Sequence, residues 1–198
     1  SMRIGVLAAQ GAFIEHIDRL HHLGVEAFPV RLLQELKEID GLIIPGGEST
    51  TISRLMVEYS LTSEIKKLGE QGLPIFGTCA GMILLASEIT DGNNLTDKPG
   101  TRLDLMNIRV KRNAFGRQRE SFETELTIPV LGKKTFPGIF IRAPLIEQVK
   151  SGEILARLDN GTIVAAQQGR LLVSAFHPEL TDDPRFHHYF LDIAGGHN

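Results

Sequence analysis

The sequence predicts a three-layer α/β fold, in which a mainly parallel central sheet carries helices on both faces and continues into an antiparallel extension. In the first half of the chain, short apolar runs alternate with segments whose apolar residues recur every three or four positions. In the second half, strand-like runs succeed one another with hairpin turns between them. At 198 residues and 42% hydrophobic content, the chain is long enough for one sizeable core, so a single domain over residues 1–198 is expected.

The first half is predicted to contain four strands and the helices that connect them. Apolar runs predict strands at 3–9, 25–30, 41–44 and around Ile75. Helical spacing predicts helices at 12–23, 50–59 and 62–71 and a further helix after Cys79, with a short helical or irregular crossing at 32–39. In such open sheets, ligands bind beyond the carboxyl ends of the parallel strands, so the residues that follow these strands are the candidates for a site.

The second half is predicted to be richer in strands. Strands are expected at 105–112, 122–130, 136–141, 154–158, 163–167 and 171–175. Asp159-Asn160-Gly161 and Gln168-Gly169 are hairpin signals between the last three. The polar segment 90–101 predicts an exposed loop, and the apolar spacing over 182–194 predicts a closing helix.

Composition and charge limit the classes of function. A formal net charge of -3 and an isoelectric point near 6.2 give no reason to expect nucleic acid or an anionic membrane as partner, and one basic stretch at 109–119 is weak support for nucleic acid. The single cysteine rules out an internal disulfide and a cysteine zinc cluster. No signal-peptide pattern opens the chain and no apolar run approaches the ~18 residues of a membrane span, so a reducing, cytoplasmic setting is expected.

The sequence contains two pairs of neighbouring histidines, His21-His22 and His187-His188, which could be interpreted as metal ligands. Adjacent side chains on a helix point apart, and no carboxylate or cysteine at suitable spacing accompanies them. We therefore predict that both pairs lie on solvated or half-buried surface, and we expect no metal site.

The stretch at 74–87 contains the only cysteine of the chain. A short apolar strand, a turn bracketed by Gly77 and Gly81, and a helix start are predicted to place Cys79 on a sharp bend beside the first free N–H groups of the helix. The positive end of the helix dipole favours a thiolate, which is the nucleophilic form of cysteine. The alternative is a small buried hydrophobic residue, which is the more frequent role of a lone cysteine between apolar segments.

A second candidate follows the third predicted strand, at Pro45-Gly46-Gly47-Glu48-Ser49-Thr50. Two glycines let the backbone turn sharply and approach a ligand closely, with N–H groups that can stabilise an oxyanion. The alternative is a simple strand-to-helix turn in which Ser49 or Thr50 caps the helix. No Gly-Lys-Ser/Thr sequence follows, which argues against a phosphate-binding loop.

A third candidate is His177-Pro178-Glu179, directly after the last predicted strand. In extended backbone, residues two apart point the same way, so this spacing predicts a carboxylate held against one imidazole nitrogen. The other nitrogen is then available to exchange a proton with a thiol. His-Pro-Glu also occurs as an ordinary turn, but the cysteine bend, the outward amides and an oriented histidine together favour cysteine acyl transfer.

With these motifs in place, the chain resembles the triad-type, class I glutamine amidotransferases, which have a flavodoxin-like fold, and among them the glutaminase subunits of pyridoxal 5'-phosphate synthases. The matching blocks, in chain order, are Gln10-Gly11-Ala12 with Glu15-His16, Pro45-Gly46-Gly47-Glu48-Ser49-Thr50-Thr51, Phe76-Gly77-Thr78-Cys79-Ala80-Gly81, Lys111-Arg112-Asn113-Ala114-Phe115-Gly116-Arg117-Gln118, Phe140-Ile141-Arg142-Ala143-Pro144 and Ser174-Ala175-Phe176-His177-Pro178-Glu179-Leu180. The departures from the family pattern are Lys111, Ala114 and a longer 90–101 segment, and none of them touches the expected triad.

The resemblance implies a role for each matching residue. It implies that Cys79 is the nucleophile, that His177 is the general base and acid, and that Glu179 orients His177. The oxyanion would be met by the backbone N–H groups of Gly47 and Ala80. The residues implied in glutamine binding are Gly47, Glu48, Ser49, Arg112, Ile141 and Arg142. A guanidinium suits a substrate carboxylate, although without the resemblance Arg112 and Arg142 would be assigned to structural or surface ion pairs.

The resemblance also implies L-glutamine as substrate and a synthase subunit as partner, to which the ammonia is transferred and which makes pyridoxal 5'-phosphate. The chain itself has no lysine motif or phosphate loop for that chemistry, so no cofactor is expected. Three alternatives stay open from the sequence. They are the glutaminase of imidazole glycerol phosphate synthase, against which Gly46-Gly47-Glu48-Ser49 argues, a non-catalytic regulatory module on the same fold, and a cysteine peptidase or amidase acting on other γ-glutamyl compounds.

Overall fold

A computed structural model describes residues 2–9, 13–90, 100–112 and 121–196. In these ranges the strands are β1 (Arg3–Leu7), β2 (Glu26–Val30), β3 (Gly41–Ile44), β4 (Ile75–Thr78), β5 (Ala86–Thr90), β6 (Met106–Lys111), β7 (Ser121–Leu126), β8 (Phe136–Ile141), β9 (Leu145–Val149), β10 (Glu153–Arg157), β11 (Ile163–Gln168) and β12 (Leu171–Ser174). The α-helices are α1 (Phe13–His22), α2 (Ser49–Glu58), α3 (Leu61–Glu70), α4 (Ala80–Leu85) and α5 (Arg185–Ala194). Short 3-10 turns lie at Leu33–Leu36, Pro129–Leu131 and Pro178–Leu180.

The main sheet changes from parallel to antiparallel pairing partway across. Its order is β2-β1-β3-β4-β12-β11-β9-β6-β5, with β10 paired to β11. Every neighbouring pair from β2 to β12 is parallel, whereas β12-β11, β11-β9 and β9-β6 are antiparallel. The central strands β3, β4 and β12 are buried along their whole length, as expected for parallel strands covered on both faces.

Helices cover both faces of the parallel region. Phe76 of β4 points to one face, where its ring centroid lies 5.4 Å from that of Phe186 and 5.6 Å from that of Phe190, both on α5. At the neighbouring Gly77, an added Cβ would point to the other face and lie 2.6 Å from the backbone of Gly81 on α4. Because successive residues of a strand point to opposite faces, these contacts place α5 and α4 on opposite sides of β4.

Strands β7 and β8 form a separate antiparallel sheet of two strands that packs beside the main one. Phe122 and Phe140 stack across this pair with centroids 4.6 Å apart. Phe140 and Phe136 of β8 also contact Phe176, with centroid distances of 5.8 Å and 5.9 Å. This aromatic contact places the end of β8 against the segment that follows β12.

The predicted fold class is confirmed, and most predicted elements lie within one or two residues of the observed ones. Both predicted hairpins are present, since β10 pairs with β11 and β11 with β12. Two strands were missed, β5 and β9, whose residues show no clean alternation of buried and exposed positions. The single strand predicted at 122–130 is wrong at its end, because β7 stops at Leu126 and a 3-10 turn follows. Most of the predicted 90–101 loop lies outside the described residues.

Candidate active site

A cleft of about 620 Å³ opens at the carboxyl-end edge of the parallel strands. The residues that follow β3, β4 and β12 meet there, because these three strands are adjacent and parallel. The cleft is lined by Gly46, Gly47, Glu48, Ser49, Cys79, Ala80, Ile83, Arg112, Ser121, Ile141, Arg142, Pro144, His177 and Leu180. Glu179 lies beneath His177, with its side chain fully buried. All predicted site residues therefore belong to one region.

Cys79 occupies a sharp bend between β4 and α4, as predicted. Its φ of 54° and ψ of -105° are a backbone conformation that a residue other than glycine rarely adopts. The bend is held by a hydrogen bond from the Cys79 N–H to the Ser174 carbonyl at 2.8 Å and by one from Ile83 to the Cys79 carbonyl at 3.2 Å. Gly81 permits it, because an added Cβ there would lie 2.1 Å from the Ile44 carbonyl oxygen. Cys79 is 7% exposed and lines the cleft.

His177 is fixed between β8 and the cleft. Its N–H donates to the Ile139 carbonyl at 2.8 Å, and its ring Nδ1 lies 2.7 Å from Glu179 Oε2. The predicted pairing is thus present, but the predicted extended backbone is wrong, since Pro178–Leu180 forms a 3-10 turn. That turn begins at a proline with fixed φ and folds the Glu179 carboxylate back under the imidazole.

The electrostatic surroundings favour a charged imidazole. Burial opposes the charge, but hydrogen bonds and negative charge from Cys79 and Glu179 outweigh burial and raise the pKa of His177 to about 10. Burial also opposes ionisation of Glu179, yet its electrostatic interaction with His16 and the hydrogen bond from His177 lower the pKa of its carboxyl. Glu179 is therefore an anion at neutral pH, and His177 is well placed to hold a proton next to the Cys79 sulfur.

The turn after β3 lies directly against this pair. An added Cβ on Gly46 would stand 2.7 Å from His177 Cε1 and 3.5 Å from Cys79 Cβ, so only a glycine fits without displacing the ring. Gly47 has a φ of 136°, a value that also favours glycine. Glu48 precedes α2 and Ser49 begins it, while Ala80 is the first residue of α4. The first N–H groups of a helix have no acceptor within the helix, which suits them to bind an oxyanion.

The remaining predicted residues come from the other side of the cleft. Arg112 follows β6 and donates from Nη2 to Ser49 Oγ at 3.0 Å, which links the two walls. The Ile141 carbonyl oxygen lies 3.9 Å from Cys79 Sγ. Arg142, with a φ of 45°, follows β8 at the rim. Part of the matching blocks, at 10–12 and 113–118, lies outside the described residues.

Two buried histidines, His16 and His187, lie beneath the site, and the sequence analysis predicts no role for either of them there. His16 Nδ1 lies 2.8 Å from His187 Nε2, and His16 Nε2 lies 3.4 Å from Glu179 Oε1, with all three side chains buried. The prediction for His187 is therefore wrong, although His21, His22 and His188 are exposed as expected. Helical spacing could have found both, because His16 is three residues from Phe13 and four from Leu20, and His187 is three residues from Phe190.

The arrangement is suited to acyl transfer by a cysteine. It combines a strained cysteine at the start of a helix, an imidazole in contact with it, and a buried carboxylate that orients the imidazole. Within the described ranges, no three His, Cys, Asp or Glu side chains are grouped to hold a metal ion. None of the helices in those same ranges has the length and apolar character needed to cross a membrane.

Comparison with known proteins agrees with this geometry. A family model described as the SNO glutamine amidotransferase family matches residues 6–194. The chain is similar to the pyridoxal 5'-phosphate synthase subunit PdxT of Herpetosiphon aurantiacus, with 55% identity over 97% of this chain and 100% of that protein. It is also similar to the subunit of the same name from Moorella thermoacetica, with 56% identity over 98% of this chain and 100% of that protein.

Solved structures show the same relationship. A structure described as a glutamine amidotransferase matches with a TM-score of 0.89 and 48% identity, covering 97% of this chain and 98% of that chain. The structure of PurLQS from Thermotoga maritima matches with a TM-score of 0.69 at 15% identity, over 96% of this chain and 98% of that chain. At this level of identity the match shows a common fold only.

Proposed function

Because the chain belongs to the SNO glutamine amidotransferase family, we propose that it is the glutamine-hydrolysing subunit of a pyridoxal 5'-phosphate synthase and converts L-glutamine to L-glutamate and ammonia. The observation that carries the proposal is the position of Cys79 on its strained bend beside His177, whose Nδ1 is 2.7 Å from the Glu179 carboxylate. The two relatives named above favour this synthase over imidazole glycerol phosphate synthase. We also infer that residues 1–198 form one glutaminase domain.

The reaction begins with attack by the Cys79 thiolate on the side-chain carboxamide carbon of glutamine. The resulting oxyanion is held by the backbone N–H groups of Gly47 and Ala80, and each such donor is typically worth ~10²-fold or more in rate. His177 gives its proton to the nitrogen as the C–N bond breaks, so ammonia leaves and a γ-glutamyl thioester remains. His177 then removes a proton from water, which attacks the thioester and releases glutamate and the Cys79 thiolate.

The walls of the cleft are suited to hold the amino-acid end of glutamine. Arg112 offers a guanidinium that is positioned by Ser49, and such a group pairs well with an α-carboxylate. Glu48, at the cleft wall, supplies a carboxylate for the α-ammonium group. The backbone at Ile141 and the side chain of Arg142 lie on the opposite wall and complete the set that we assign to substrate binding.

The ammonia produced here is useful only to a partner. At neutral pH free ammonia is mostly protonated and is then a poor nucleophile, so transfer within a complex with the synthase subunit is expected. We assign the chain to the cytoplasm, in agreement with its single cysteine, and we expect no nucleic-acid or membrane partner. No cofactor takes part in the proposed steps.

The test is to incubate the chain with glutamine, alone and with a pyridoxal 5'-phosphate synthase subunit, and to measure glutamate and ammonia. We expect slow turnover alone and a clear rise with the partner. Cys79→Ala should abolish turnover in both conditions while glutamine still binds, as measured by calorimetry. Absence of turnover by the unsubstituted chain in either condition would contradict the proposal, and normal turnover by Cys79→Ala would show that the nucleophile is misassigned.

A further inference from the structure

Beneath the triad lies a hydrogen-bonded pair of histidines that the proposed mechanism does not use. His16 of α1 and His187 of α5 are both fully buried, and their facing nitrogens, Nδ1 of His16 and Nε2 of His187, are 2.8 Å apart. The other nitrogen of His16, Nε2, faces Glu179 Oε1 at 3.4 Å. Among the described residues, Oε1 makes no hydrogen bond of regular geometry, although the same carboxylate holds His177 through Oε2.

Neutral histidines are expected at both positions. Burial is the main effect that lowers the pKa of His16, against the opposing charge of Glu179, and burial lowers the pKa of His187 well below its usual value. A neutral imidazole has one N–H donor and one bare acceptor nitrogen. A hydrogen bond between His16 Nδ1 and His187 Nε2 therefore holds one proton. Which of the two nitrogens carries that proton decides whether His16 Nε2, the nitrogen that faces Glu179, is protonated or bare.

The two possible arrangements differ in cost. If His16 donated from Nδ1, its bare Nε2 would point a lone pair at the Glu179 carboxylate, and the Nδ1–H of His187 would be buried without an acceptor. If His187 donates from Nε2 instead, His16 receives at Nδ1 and presents its Nε2–H to Glu179 Oε1. That arrangement removes the repulsion, and of the three side chains only His187 keeps a nitrogen, its bare Nδ1, without a partner among the described residues.

We propose that His16 is a positioning residue, which is held by His187 and donates its Nε2–H to Glu179, so that both carboxylate oxygens are fixed and His177 is aimed at Cys79. This inference rests on the proposed function and adds two residues to its site. The hydrogen bonds then run in one direction, from His187 to His16 to Glu179, and Glu179 receives a second one from His177 on its other oxygen. A carboxylate held on both sides has less freedom to rotate away from the imidazole.

The groups that face His16 are few and can be named for each element. The 3-10 turn contributes Glu179 and, through its charge, His177; α5 contributes His187; and β4 contributes the Thr78 hydroxyl at 3.5 Å from Nε2. Arg19 acts by its charge on His187. Among these, Glu179 is the partner whose charge would change the pH dependence of activity if His16 were replaced.

The first experiment uses the unsubstituted protein in its complex with the synthase subunit. Nitrogen-15 chemical shifts of labelled histidine side chains distinguish the two neutral tautomers, and His16→Gln and His187→Gln assign the signals. We expect a proton on Nε2 of both His16 and His187 near pH 7. A bare Nε2 on His16 would overturn the proposal. This readout does not depend on turnover, so a complex without glutaminase activity would refute the proposed function and leave the tautomer result to decide the inference.

The second experiment compares His16→Leu with His16→Gln, since glutamine can place an amide N–H near the position of Nε2. For His16→Leu we expect kcat to fall about 10- to 100-fold with KM within about twofold, and the acid limb of kcat/KM to move to higher pH because Glu179 is protonated more readily. His16→Gln should recover most of the loss in kcat and the original acid limb. The exposed His22→Leu, on the same helix, is the matched control and should change neither. Equal behaviour of the Gln and Leu variants would overturn the positioning role.

Discussion

At the scale of single residues, the protonation of His177 is set by opposing effects that substitution can separate. Burial disfavours the imidazolium, whereas hydrogen bonds and negative charge from Cys79 and Glu179 favour it, and the net pKa is about 10. His177 is therefore expected to hold a proton through neutral pH, beside the Cys79 sulfur. The thiolate is the nucleophilic form of cysteine, and an adjacent imidazolium is the partner that suits it.

Glu179→Gln tests the part of this balance that comes from the carboxylate. The substitution removes a negative charge but leaves His177 buried, so the pKa of His177 should fall. The alkaline limb of kcat/KM for glutamine should move to lower pH by about one unit or more, and kcat should fall by about 10²-fold or more because the imidazole is no longer oriented. Glu147→Gln, which changes a partly exposed partner of Arg109 and of the Thr90 hydroxyl outside the cleft, is the control. An alkaline limb shared by Glu179→Gln and the unsubstituted chain would refute the assignment.

Arg112→Lys tests the proposed hold on the glutamine carboxylate. Lysine keeps the charge but loses the planar fork that pairs with a carboxylate and reaches Ser49 Oγ. We expect KM for glutamine to rise by about tenfold, with kcat changed by less than about threefold, since the interaction is present before and during the reaction. Arg109→Lys, on β6 three residues before Arg112 and paired with Glu147, should leave both constants near their starting values. A loss confined to kcat would assign Arg112 to the chemistry instead of to substrate binding.

At the scale of elements, the bend that displays Cys79 depends on the close approach of β4, α4 and β3. Gly77 of β4 lies against Gly81 of α4, and Gly81 in turn lies against the Ile44 carbonyl at the end of β3. Both contacts are with backbone atoms, which cannot rotate away as a flexible side chain can. The short helix α4 can therefore lie this close to β3 and β4 only because Gly77 and Gly81 have no side chains.

Gly81→Ala and Gly69→Ala compare these constraints within helices. A Cβ on Gly81 would lie 2.1 Å from a backbone oxygen, so Gly81→Ala should lower the free energy of unfolding by about 3 kcal/mol and reduce glutamine turnover. A Cβ on Gly69 in α3 meets only the ends of Leu105 and Ile75 side chains, and alanine favours a helix by about 1 kcal/mol, so Gly69→Ala should change stability by less than about 1 kcal/mol. Urea unfolding measures both. Equal losses would show that the backbone contact does not hold the bend.

Elements differ in how well the sequence predicts them, and the reason is physical. Gly41–Ile44 is found at its predicted bounds because an isolated apolar run between polar segments fits only a buried strand. The strands β5 and β9 carry weak patterns because their place depends on pairing with β6 rather than on their own burial. The burial of His16 against His187 could not be predicted, because a polar residue within an apolar helical stripe is recognised as buried only when its partner on another helix is known.

At the scale of the whole molecule, the site is assembled from segments far apart in the chain. Gly46, Cys79 and His177 follow three different strands, and the buried polar side chains beneath them join α1, α5 and the turn at Pro178–Leu180. The three motifs of the site and the roles of their residues could be predicted from the sequence. The burial that sets the pKa values of His16, His177 and His187 exists only after folding. Stability should therefore depend on pH through these groups.

The sign of that dependence differs on the two sides of pH 6.5. The pKa of His177 rises to about 10 on folding, so its contribution is complete below pH 6.5 and is lost as the pH rises toward 10. The pKa of His187 falls on folding, so the unfolded chain binds more protons below pH 6.5 and stability declines there, by up to about 1.4 kcal/mol per pH unit for one proton.

We expect the His187→Leu variant to be less stable overall, because it loses the hydrogen bond to His16. Its free energy of unfolding, measured with urea, should decline less steeply between pH 6.5 and pH 5 than that of the unsubstituted chain. His188→Leu, at the neighbouring position whose side chain is 63% exposed, should keep the original slope. An unchanged slope in His187→Leu would mean that His187 is not the buried neutral histidine responsible for it.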